Sequence, residues 1–433
     1  MIVTRRAALA GVLAAFSGRA FGQASEAAPP LTVELEVPID HDRPGAGDFP
    51  LRCEWGAPRR AGRRTVLVVA DAQQYYVRPG GAQRLQRELF GNELNVLTIL
   101  GRSRAPALDR LIRDQGEIDW STAYRLLNWR QWARDIETVI RRLSLGPREL
   151  CLYGRSGGAY LIFQLLALRP ELEARVYVQA AVNAELDVRW GVSADRFWEE
   201  FSGAEPGTAT ELMTWLGQHP AQRRNLVLVL QRQNFFEPLE ALPAARLAAV
   251  RAFLQGDGAE VAAMRARYQI DAIEQTRTTL EGVGAATRVY EFAAPQADPR
   301  GGGGPLRPSL EALFYYAAPL ADPPYRPVVP ATAWERLRTQ RCEVLQVAAR
   351  HDHTCDYRTQ IGLNGLTRGS TLLLLDDDHV FQRFTASGLQ PGFLQAWFGG
   401  GAGAPAFQRA LAALGPLRWS HYPRPGATQG QRR

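Results

Sequence analysis

Short apolar runs alternate with longer amphipathic stretches toward both ends of the chain. Apolar repeats at helical spacing predict a helix over residues 129–143, and two strand-like stretches around a turn-rich segment predict an opening antiparallel hairpin over residues 32–37 and 50–55. Further helices are predicted over residues 84–90 and 393–398. Buried strands are predicted at residues 65–70, 94–100, 149–153, 175–181, 342–349 and 370–375. This alternation predicts an α/β fold: a mostly parallel central sheet with helices on both faces.

The alternation stops between residues 185 and 331. Helix-forming residues dominate there, and a glycine-rich tract at residues 300–305 interrupts them. We interpret this segment as a helical cap inserted between two halves of one sheet. The predicted domains are an α/β core over residues 25–184 and 332–420, the cap over residues 185–331, and a polar, disordered tail over residues 421–433.

A glycine-bracketed turn follows the strand predicted at residues 149–153. It reads Gly154, Arg155, Ser156, Gly157, Gly158, and a long apolar stretch that suits a helix begins directly after it. Strand, sharp turn and helix are the setting of a nucleophile elbow, in which a strained serine needs small neighbours so that strand and helix can approach. Ser156 is therefore the candidate nucleophile, and the alternative is an ordinary turn in a glycine-rich chain.

A serine hydroxyl needs a histidine to take its proton and an acid to orient that histidine. In a parallel sheet, such partners are expected just past the carboxyl ends of strands. Among six histidines, His379 directly follows the run at residues 370–375, and Asp352 follows the run at residues 342–349. Ser156, Asp352 and His379 thus form a candidate triad in the order nucleophile, acid, base.

Other interpretations of these residues stay open at this point. His379 would alternatively be a surface histidine beside solvated acids. Several acids compete with Asp352: Asp187, Asp356, Asp376, Asp377 and Asp378. Four crowded side chains offer a metal site, although no further His/Cys pair stands at zinc-like spacing: His351, Asp352, His353 and Asp356. The triad interpretation implies no metal and no organic cofactor.

Acyl transfer also needs two backbone N–H donors for the oxyanion that develops on the substrate. The residue after the nucleophile, Gly157, would supply one donor. The loop after the run at residues 65–70 would supply the other, which points to Ala72 or to its neighbour Asp71. Glycines are usual in such a loop, whereas this one reads Ala-Asp-Ala-Gln-Gln.

The N-terminus predicts export. Arg5 and Arg6 precede a short apolar run and small residues, which is typical of a twin-arginine signal cut after Ala24 and hence of a periplasmic or secreted bacterial protein. An uncleaved membrane tether or a disordered N-terminus is the alternative. No later run is long enough to span a bilayer, so no stable membrane insertion is expected after cleavage.

The distribution of charge indicates which kinds of macromolecule the protein could bind. The positive charge of the chain, formally +7, comes from arginine alone. The arginines are scattered among acids instead of forming blocks, so no nucleic-acid partner is expected.

The cysteines are not expected to form a disulfide within one strand. Cys342 and Cys355 flank one predicted strand and should lie about 20 Å apart or more, beyond disulfide reach. Cys151 is expected to be a buried apolar residue of the elbow strand, and Cys53 is the fourth cysteine.

Several segments together resemble the α/β-hydrolase superfamily and, within it, the prolyl aminopeptidase and tripeptidyl aminopeptidase branch. The resemblance covers residues 31–398 except most of the cap, and it is carried by LEVPIDHDRP at residues 35–44, by residues 129–160, by RPELEARVYVQAA, and by ARHDHTCD and DDDHVF. It implies the α/β-hydrolase fold. Two segments depart from the branch: residues 70–73 replace its H-G-G-P, and residues 100–103 replace its D-Q-R-G.

The resemblance also implies roles for particular residues. Ser156 would be the nucleophile, Asp352 the acid and His379 the base, with Gly157 and Ala72 as oxyanion donors. Peptidases of this branch hold a free amino terminus with cap glutamates, which makes two further residues candidates for substrate binding: Glu199 and Glu200. A solvated helix face is the alternative for that glutamate pair.

The sequence therefore predicts an exported serine hydrolase that cleaves an ester or amide bond through an acyl-enzyme. Its substrate would be a small-molecule ester or a short peptide, and its activity that of an aminopeptidase or a carboxylesterase. The alternative is a non-catalytic binding protein that keeps the fold while its oxyanion loop has degenerated. Oligomeric state does not follow from the sequence.

Overall fold

The computed structural model describes residues 31–71, 77–301, 304–323 and 325–422. The predicted export signal at residues 1–24, the loop residue Ala72 and most of the predicted tail lie outside these ranges. Within them, no helix has both the length and the apolar composition needed to cross a membrane.

A single large sheet forms the centre of the described structure. Its order is β1-β2-β4-β3-β5-β6-β7-β8-β9, parallel from β4 to β8 and antiparallel at β1, β2 and β9. The strands are β1 (Leu31–Pro38), β2 (Asp48–Trp55), β3 (Thr65–Val69), β4 (Asn95–Ile99), β5 (Leu150–Arg155), β6 (Arg175–Gln179), β7 (Glu343–Ala349), β8 (Ser370–Leu375) and β9 (Arg418–Tyr422). The predicted hairpin and the predicted parallel strands are thus confirmed.

Helices cover both the core and the segment between β6 and β7. Before β6 lie α1 (Gly81–Leu85), which continues as a π-helix over Gln86–Phe90, then α2 (Pro106–Leu111), α3 (Trp120–Leu127), α4 (Trp129–Arg142) and α5 (Gly157–Leu168). A two-residue ladder pairs Arg113–Asp114 with Glu117–Ile118. Between β6 and β7 lie α6 (Ala184–Trp190), α7 (Phe197–Ala204), α8 (Pro206–Gln218), α9 (Arg223–Phe236), α10 (Leu242–Leu254), α11 (Gly258–Arg267), α12 (Ile270–Gln275), α13 (Leu280–Ala293), α14 (Pro308–Tyr316) and α15 (Ala318–Ala321). After β7 lie α16 (Tyr357–Leu366), α17 (Gln382–Ala386), α18 (Gln390–Gly400) and α19 (Pro405–Ala413).

Local sequence explains how the helices that support the site form. The Asn128 side chain caps α4 by accepting hydrogen bonds from the amides of Arg130 and Gln131 at 3.0 and 3.3 Å. Trp129, Trp132 and the other apolar residues of α4 are buried on one face, as their spacing predicts. Helix α5 is buried along nearly its whole length, which matches its almost uninterrupted apolar sequence.

The helical segment between β6 and β7 has an apolar cluster of its own, separate from the cluster around the sheet. Leu212, Leu226, Val250 and Phe253 are among its buried members. A smaller cluster around Tyr290 on α13 packs against Tyr124 of α3 and joins the two. Together, sheet and inserted helices make up the α/β-hydrolase fold that the resemblance implies.

Strand β9 was not predicted. It extends to Tyr422, two residues into the segment for which a disordered tail was predicted, and His421 lies opposite Leu373 in β8. Its residues are exposed or half-buried and do not alternate between apolar and polar, so the pattern carries little strand signal. The prediction was therefore wrong for these two residues, while residues 423–433 lie outside the described ranges.

Arg102, in a segment that departs from the aminopeptidase pattern, is completely buried. Its guanidinium donates to Asp135 at 2.8 and 3.0 Å and to the carbonyls of Pro38, Ile39 and Leu126. These bonds tie the end of β1 to α3 and α4. All four cysteines are buried free thiols, so Cys342 and Cys355 form no disulfide and Cys151 lies in the core as predicted.

Candidate active site

Ser156 stands between the end of β5 and the start of α5, at the predicted turn. Its φ of 50° and ψ of −120° are strained for a residue with a side chain. Its amide donates to the carbonyl of Gln179 at 2.8 Å, and its carbonyl accepts from Tyr160 in α5 at 3.0 Å. The strained serine of a nucleophile elbow is therefore present.

Two glycines let this turn form. A Cβ atom on Gly154 would lie 2.7 Å from the Ile162 side chain and 2.8 Å from the backbone of Gly158, so only glycine lets β5 and α5 approach. A Cβ atom on Gly157 would lie 1.8 Å from Oδ2 of Asp71. A side chain at position 157 would therefore clash with the carboxyl group of Asp71, and this clash, not the helix itself, requires glycine there.

His379 and Asp352 form a buried hydrogen-bonded pair. Nδ1 of His379 lies 2.8 Å from Oδ2 of Asp352, and the two residues are only 6% and 1% exposed. The other carboxylate oxygen, Oδ1, accepts hydrogen bonds from the amides of Thr354 and Cys355 at 2.6 and 2.8 Å. Phe235 of α9 stands edge-on to the imidazole ring at 5.2 Å. His379 is therefore not the surface residue of the alternative interpretation.

Three of the competing acids follow β8 and serve the local backbone or the surface. Asp377 and Asp378 accept backbone amides at the start of α17, as a turn and helix-start role predicts. Burial and the neighbouring charge of Asp377 raise the pKa of Asp378 to about 7. Asp376 instead binds Nε2 of His351 at 3.0 Å and Arg383 at 2.7 Å.

The two remaining acids lie near α16. Asp356 caps that helix and pairs with Arg358 at 2.6 Å. Asp187 accepts a hydrogen bond from the Thr359 hydroxyl, and burial, with the charges of Asp356 and Asp352, raises the pKa of Asp187 to about 7. Among the candidates, the acid for which the structure gives a hydrogen bond to His379 is Asp352.

The four residues of the metal interpretation do not converge. His351 binds Asp376, Nε2 of His353 lies 3.5 Å from Glu200, and Asp356 pairs with Arg358. A different group, Asp352, Cys355 and His379, has ligand atoms within 4.8 Å of one another in the described part of the chain. Its atoms are engaged in the contacts above, and the Cys355 thiol donates to the carbonyl of Ala180 at 3.3 Å.

Ser156 and His379 line one cavity of about 210 Å³ between the sheet and the inserted helices. Gly157, Asp71 and Asp187 also line it from the core side. The wall on the side of the inserted helices is largely apolar. Helix α13 contributes Ala285, Ala286, Val289 and Phe292, and α14 contributes Leu310, Ala312, Leu313 and Tyr316. The structure therefore brings the candidate nucleophile and base to a small pocket with the mostly apolar lining and few polar groups that are typical of small-ligand sites.

The oxyanion region contains a charged cluster that sequence patterns did not reveal. Asp71 lies two residues after the end of β3. It is buried, and its Oδ2 atom is 3.7 Å from Nε of Arg288. Arg288 also contacts Glu291, whose carboxylate accepts the amide of Trp129 at 2.8 Å. Arg288 and Glu291 stand three residues apart among the mostly apolar residues of the second half of α13, which is the sequence signal for the cluster.

The predicted donor Gly157 is the first residue of α5, and Ala72 lies outside the described residues. Glu199 and Glu200 lie exposed on α7, and neither lines the cavity. Glu200 pairs with Arg246 at 3.0 Å and with Arg196 at 3.4 Å. The structure thus does not bring this glutamate pair to Ser156.

Comparisons with known proteins concern the fold. No protein-family model matches the chain, and no curated protein matches it in sequence. Similar solved structures include homoserine O-acetyltransferase from Staphylococcus aureus, at 13% identity and a TM-score of 0.45, with 88% of this chain and 99% of that chain covered. An acetylester hydrolase from Corynebacterium glutamicum has 12% identity and a TM-score of 0.40, with 86% and 96% covered. The α/β hydrolase MGS-M2 from a deep-sea metagenome has 11% identity and a TM-score of 0.42, with 81% and 94% covered.

At identities this low, activity and substrate do not transfer from these proteins to this chain. The solved structures give no support for the aminopeptidase branch over the rest of the α/β-hydrolase superfamily.

Proposed function

We propose that the protein is a serine hydrolase that cleaves an ester or amide bond through an acyl-enzyme. One observation carries the proposal: a strained elbow serine lines the same cavity as a buried histidine that is hydrogen-bonded to an aspartate. Ser156 would attack the carbonyl carbon, His379 would accept the serine proton and return it to the leaving group, and Asp352 would orient the imidazole.

The hydrogen bonds around Asp352 are consistent with these roles of Asp352 and His379. A carboxylate accepts hydrogen bonds, so its contact with Nδ1 of His379 places the imidazole proton there and leaves Nε2 free to act as the base. The amides of Thr354 and Cys355 hold the other oxygen of the carboxylate in place. Asp352 can therefore fix both the tautomer and the orientation of the ring.

The start of α5 suits the stabilisation of negative charge. Gly157 is the first residue of that helix, where backbone N–H groups are not used within the helix and the helix dipole favours an anion. In this proposal the Gly157 amide binds the oxyanion of the tetrahedral intermediate, and Ala72 stays the predicted second donor.

The test is covalent labelling of the purified protein with a fluorophosphonate probe. The wild-type protein is expected to be labelled and Ser156→Ala is not, because the probe reacts only with an activated serine. Ser193→Ala is the matched control, since Ser193 also lines the cavity but hydrogen-bonds the Asp195 amide. Equal labelling of wild type and Ser156→Ala would show that Ser156 is not the nucleophile.

Substrate panels separate the finer alternatives. Paired acyl esters and aminoacyl arylamides distinguish a carboxylesterase from an aminopeptidase, and blocking the substrate amino group should abolish turnover only in an aminopeptidase.

We also propose that the protein is exported through the twin-arginine route. Replacing Arg5 and Arg6 together by lysine should retain the protein in the cytoplasm, and unchanged export of that variant would contradict the proposal.

One observation favours the second candidate function, a non-catalytic binding protein. The carboxyl group of Asp71 is packed against Gly157, close to where an oxyanion would develop. A carboxylate there would repel that charge, although the neighbouring Arg288 offsets part of the repulsion. Absence of both labelling and turnover in the folded wild-type protein would favour this candidate over the hydrolase.

A further inference from the structure

Arg277 is a positively charged residue without a direct acidic partner among the described residues. It lies between α12 and α13, is half-buried and lines the cavity that contains Ser156. Within the described residues, its guanidinium forms neither a hydrogen bond nor an ion pair. Two other arginines, Arg224 and Arg265, pair with acids of α12.

The acids of α12 are already occupied. Glu274 pairs with Arg224 at 2.5 Å and with Arg265 at 2.7 Å, and Asp271 pairs with Arg265 at 2.5 Å. Burial and the positive charge of Arg224 both lower the pKa of the Arg277 guanidinium from its ordinary value. A partly buried cation without a counter-ion is unfavourable, so a bound anion would be stabilised here.

The position of Arg277 is fixed by close packing. Thr279 caps α13 by accepting the amide of Gly282 at 3.1 Å. A Cβ atom on Gly282 would lie 2.0 Å from the carbonyl oxygen of Thr276 and 2.9 Å from Cα of Arg277. Glycine at this position therefore lets the segment that carries Arg277 lie directly against the first turn of α13.

The aspartates that line the cavity do not offset this charge. Asp71 is held beside Arg288. Burial raises the pKa of Asp187 to about 7 and that of Asp195 to about 6, so both carry less negative charge near neutral pH than ordinary aspartates. Asp195 is further engaged by the amides of Leu310 and Phe197.

We propose that Arg277 binds a carboxylate of the substrate, so that the enzyme prefers esters or amides bearing a negative charge away from the bond that is cleaved. The apolar wall formed by α13 next to Arg277 fits a substrate in which an apolar spacer separates that carboxylate from the reacting carbonyl. This inference rests on the proposed hydrolase function. A carboxylate in the acyl group and a carboxylate in the leaving group share the same recognition chemistry.

Two matched substrate pairs test the inference and separate these placements. The acyl pair is 4-nitrophenyl hemiglutarate against 4-nitrophenyl pentanoate, and the leaving-group pair is 3-(butanoyloxy)benzoate against phenyl butanoate. We expect the anionic member of at least one pair to have the higher kcat/KM. Arg277→Gln should lower kcat/KM for that ester about 10- to 100-fold, the range for a charge-assisted hydrogen bond, and leave the neutral ester within a factor of two.

Two further variants control the interpretation. Arg277→Lys keeps the charge and should retain part of the preference, whereas Arg251→Gln removes an equal charge from the exposed face of α10 and should retain all of it. Thermal unfolding verifies that each variant is folded. A loss that is equal on anionic and neutral esters, or no change in the preference with Arg277→Gln, would overturn the inference while leaving the hydrolase proposal intact.

A binding measurement that needs no turnover tests the carboxylate site separately from the hydrolase proposal. If the protein hydrolyses no ester, calorimetric titration of Ser156→Ala with glutaric acid monomethyl ester measures carboxylate binding without turnover. Weaker binding after Arg277→Gln is added would support the carboxylate site although the hydrolase proposal had failed. Unchanged or absent binding would overturn the carboxylate site as well.

Discussion

Asp187 should make the protein less stable as pH rises from 4 to 7. It lies at the cavity wall, where burial and the charges of Asp356 and Asp352 raise its pKa to about 7. An unfolded chain has an aspartate pKa of about 4. Within this window the folded protein keeps a proton that the unfolded chain has released, so the free energy of unfolding falls with pH, and above pH 7 the loss is complete.

The size of the effect follows from the pKa difference. A shift of about three units corresponds to about 4 kcal/mol at about 1.4 kcal/mol per unit, and partial exposure of Asp187 to solvent reduces this to about 2 kcal/mol. Asp187→Asn removes the ionisation and keeps an oxygen that can accept the Thr359 hydroxyl. The variant should therefore match the wild type near pH 4 and exceed its stability by about 2 kcal/mol at pH 8.

Urea unfolding followed by tryptophan fluorescence at pH 4.5, 6 and 8 measures this difference. Asp114→Asn is the control, because Asp114 is exposed on the two-residue ladder and should give a small difference that does not grow with pH. A stability difference for Asp187→Asn that is constant across pH, or that turns negative at pH 8, would refute the reasoning.

Three further variants test the proposed triad, the core and the oxyanion region. Asp352→Asn should lower kcat/KM about 1000-fold or more because the imidazole loses its orienting carboxylate, whereas Asp376→Asn should stay within a few-fold of wild type in the same esterase assay. Arg102→Met should lower the free energy of unfolding by about 3–5 kcal/mol because it leaves Asp135 buried without its main cation. Arg134→Met, which loses a pair with exposed Asp42 and a hydrogen bond to the His41 carbonyl, should cost about 1 kcal/mol or less in urea unfolding. Asp71→Asn should raise kcat on esters about tenfold because it removes negative charge beside Gly157, and a lower kcat at an unchanged melting temperature would contradict this expectation.

Features that depend on local sequence could be predicted well. The buried strands follow from short apolar runs, and α4 follows from its helical repeat and the Asn128 cap. Boundaries were less accurate. Strand β5 continues to Arg155 because that residue pairs with Gln179 of β6, a contact that depends on a partner 24 positions away.

Buried charges could not be predicted, since pattern-based reasoning assigns charged residues to the surface. Arg102 is completely buried because Asp135 and three backbone carbonyls, supplied by β1, α3, α4 and the turn after β1, surround its guanidinium. The sequence pattern points only to the backbone amide of Asp71 as an oxyanion donor. In the structure, its side chain lies where a Cβ atom on residue 157 would clash with it, so that residue must be glycine. Both cases depend on which elements meet in space, which spacing along the chain does not encode.

Helix α13 connects the two ends of the proposed site. Near its start it packs against the segment that positions Arg277, and along its length it supplies part of the apolar wall of the cavity. Near its end, Arg288 and Glu291 form a buried ionic chain from Asp71 to the first residue of α4. Because Arg288 of this helix lies beside Asp71, a shift of the helix would change substrate recognition and oxyanion electrostatics together. The residues that distinguish substrates and those that surround the reacting carbonyl are therefore expected to be energetically coupled, so effects of Arg277→Gln and Asp71→Asn on anionic esters should not be additive.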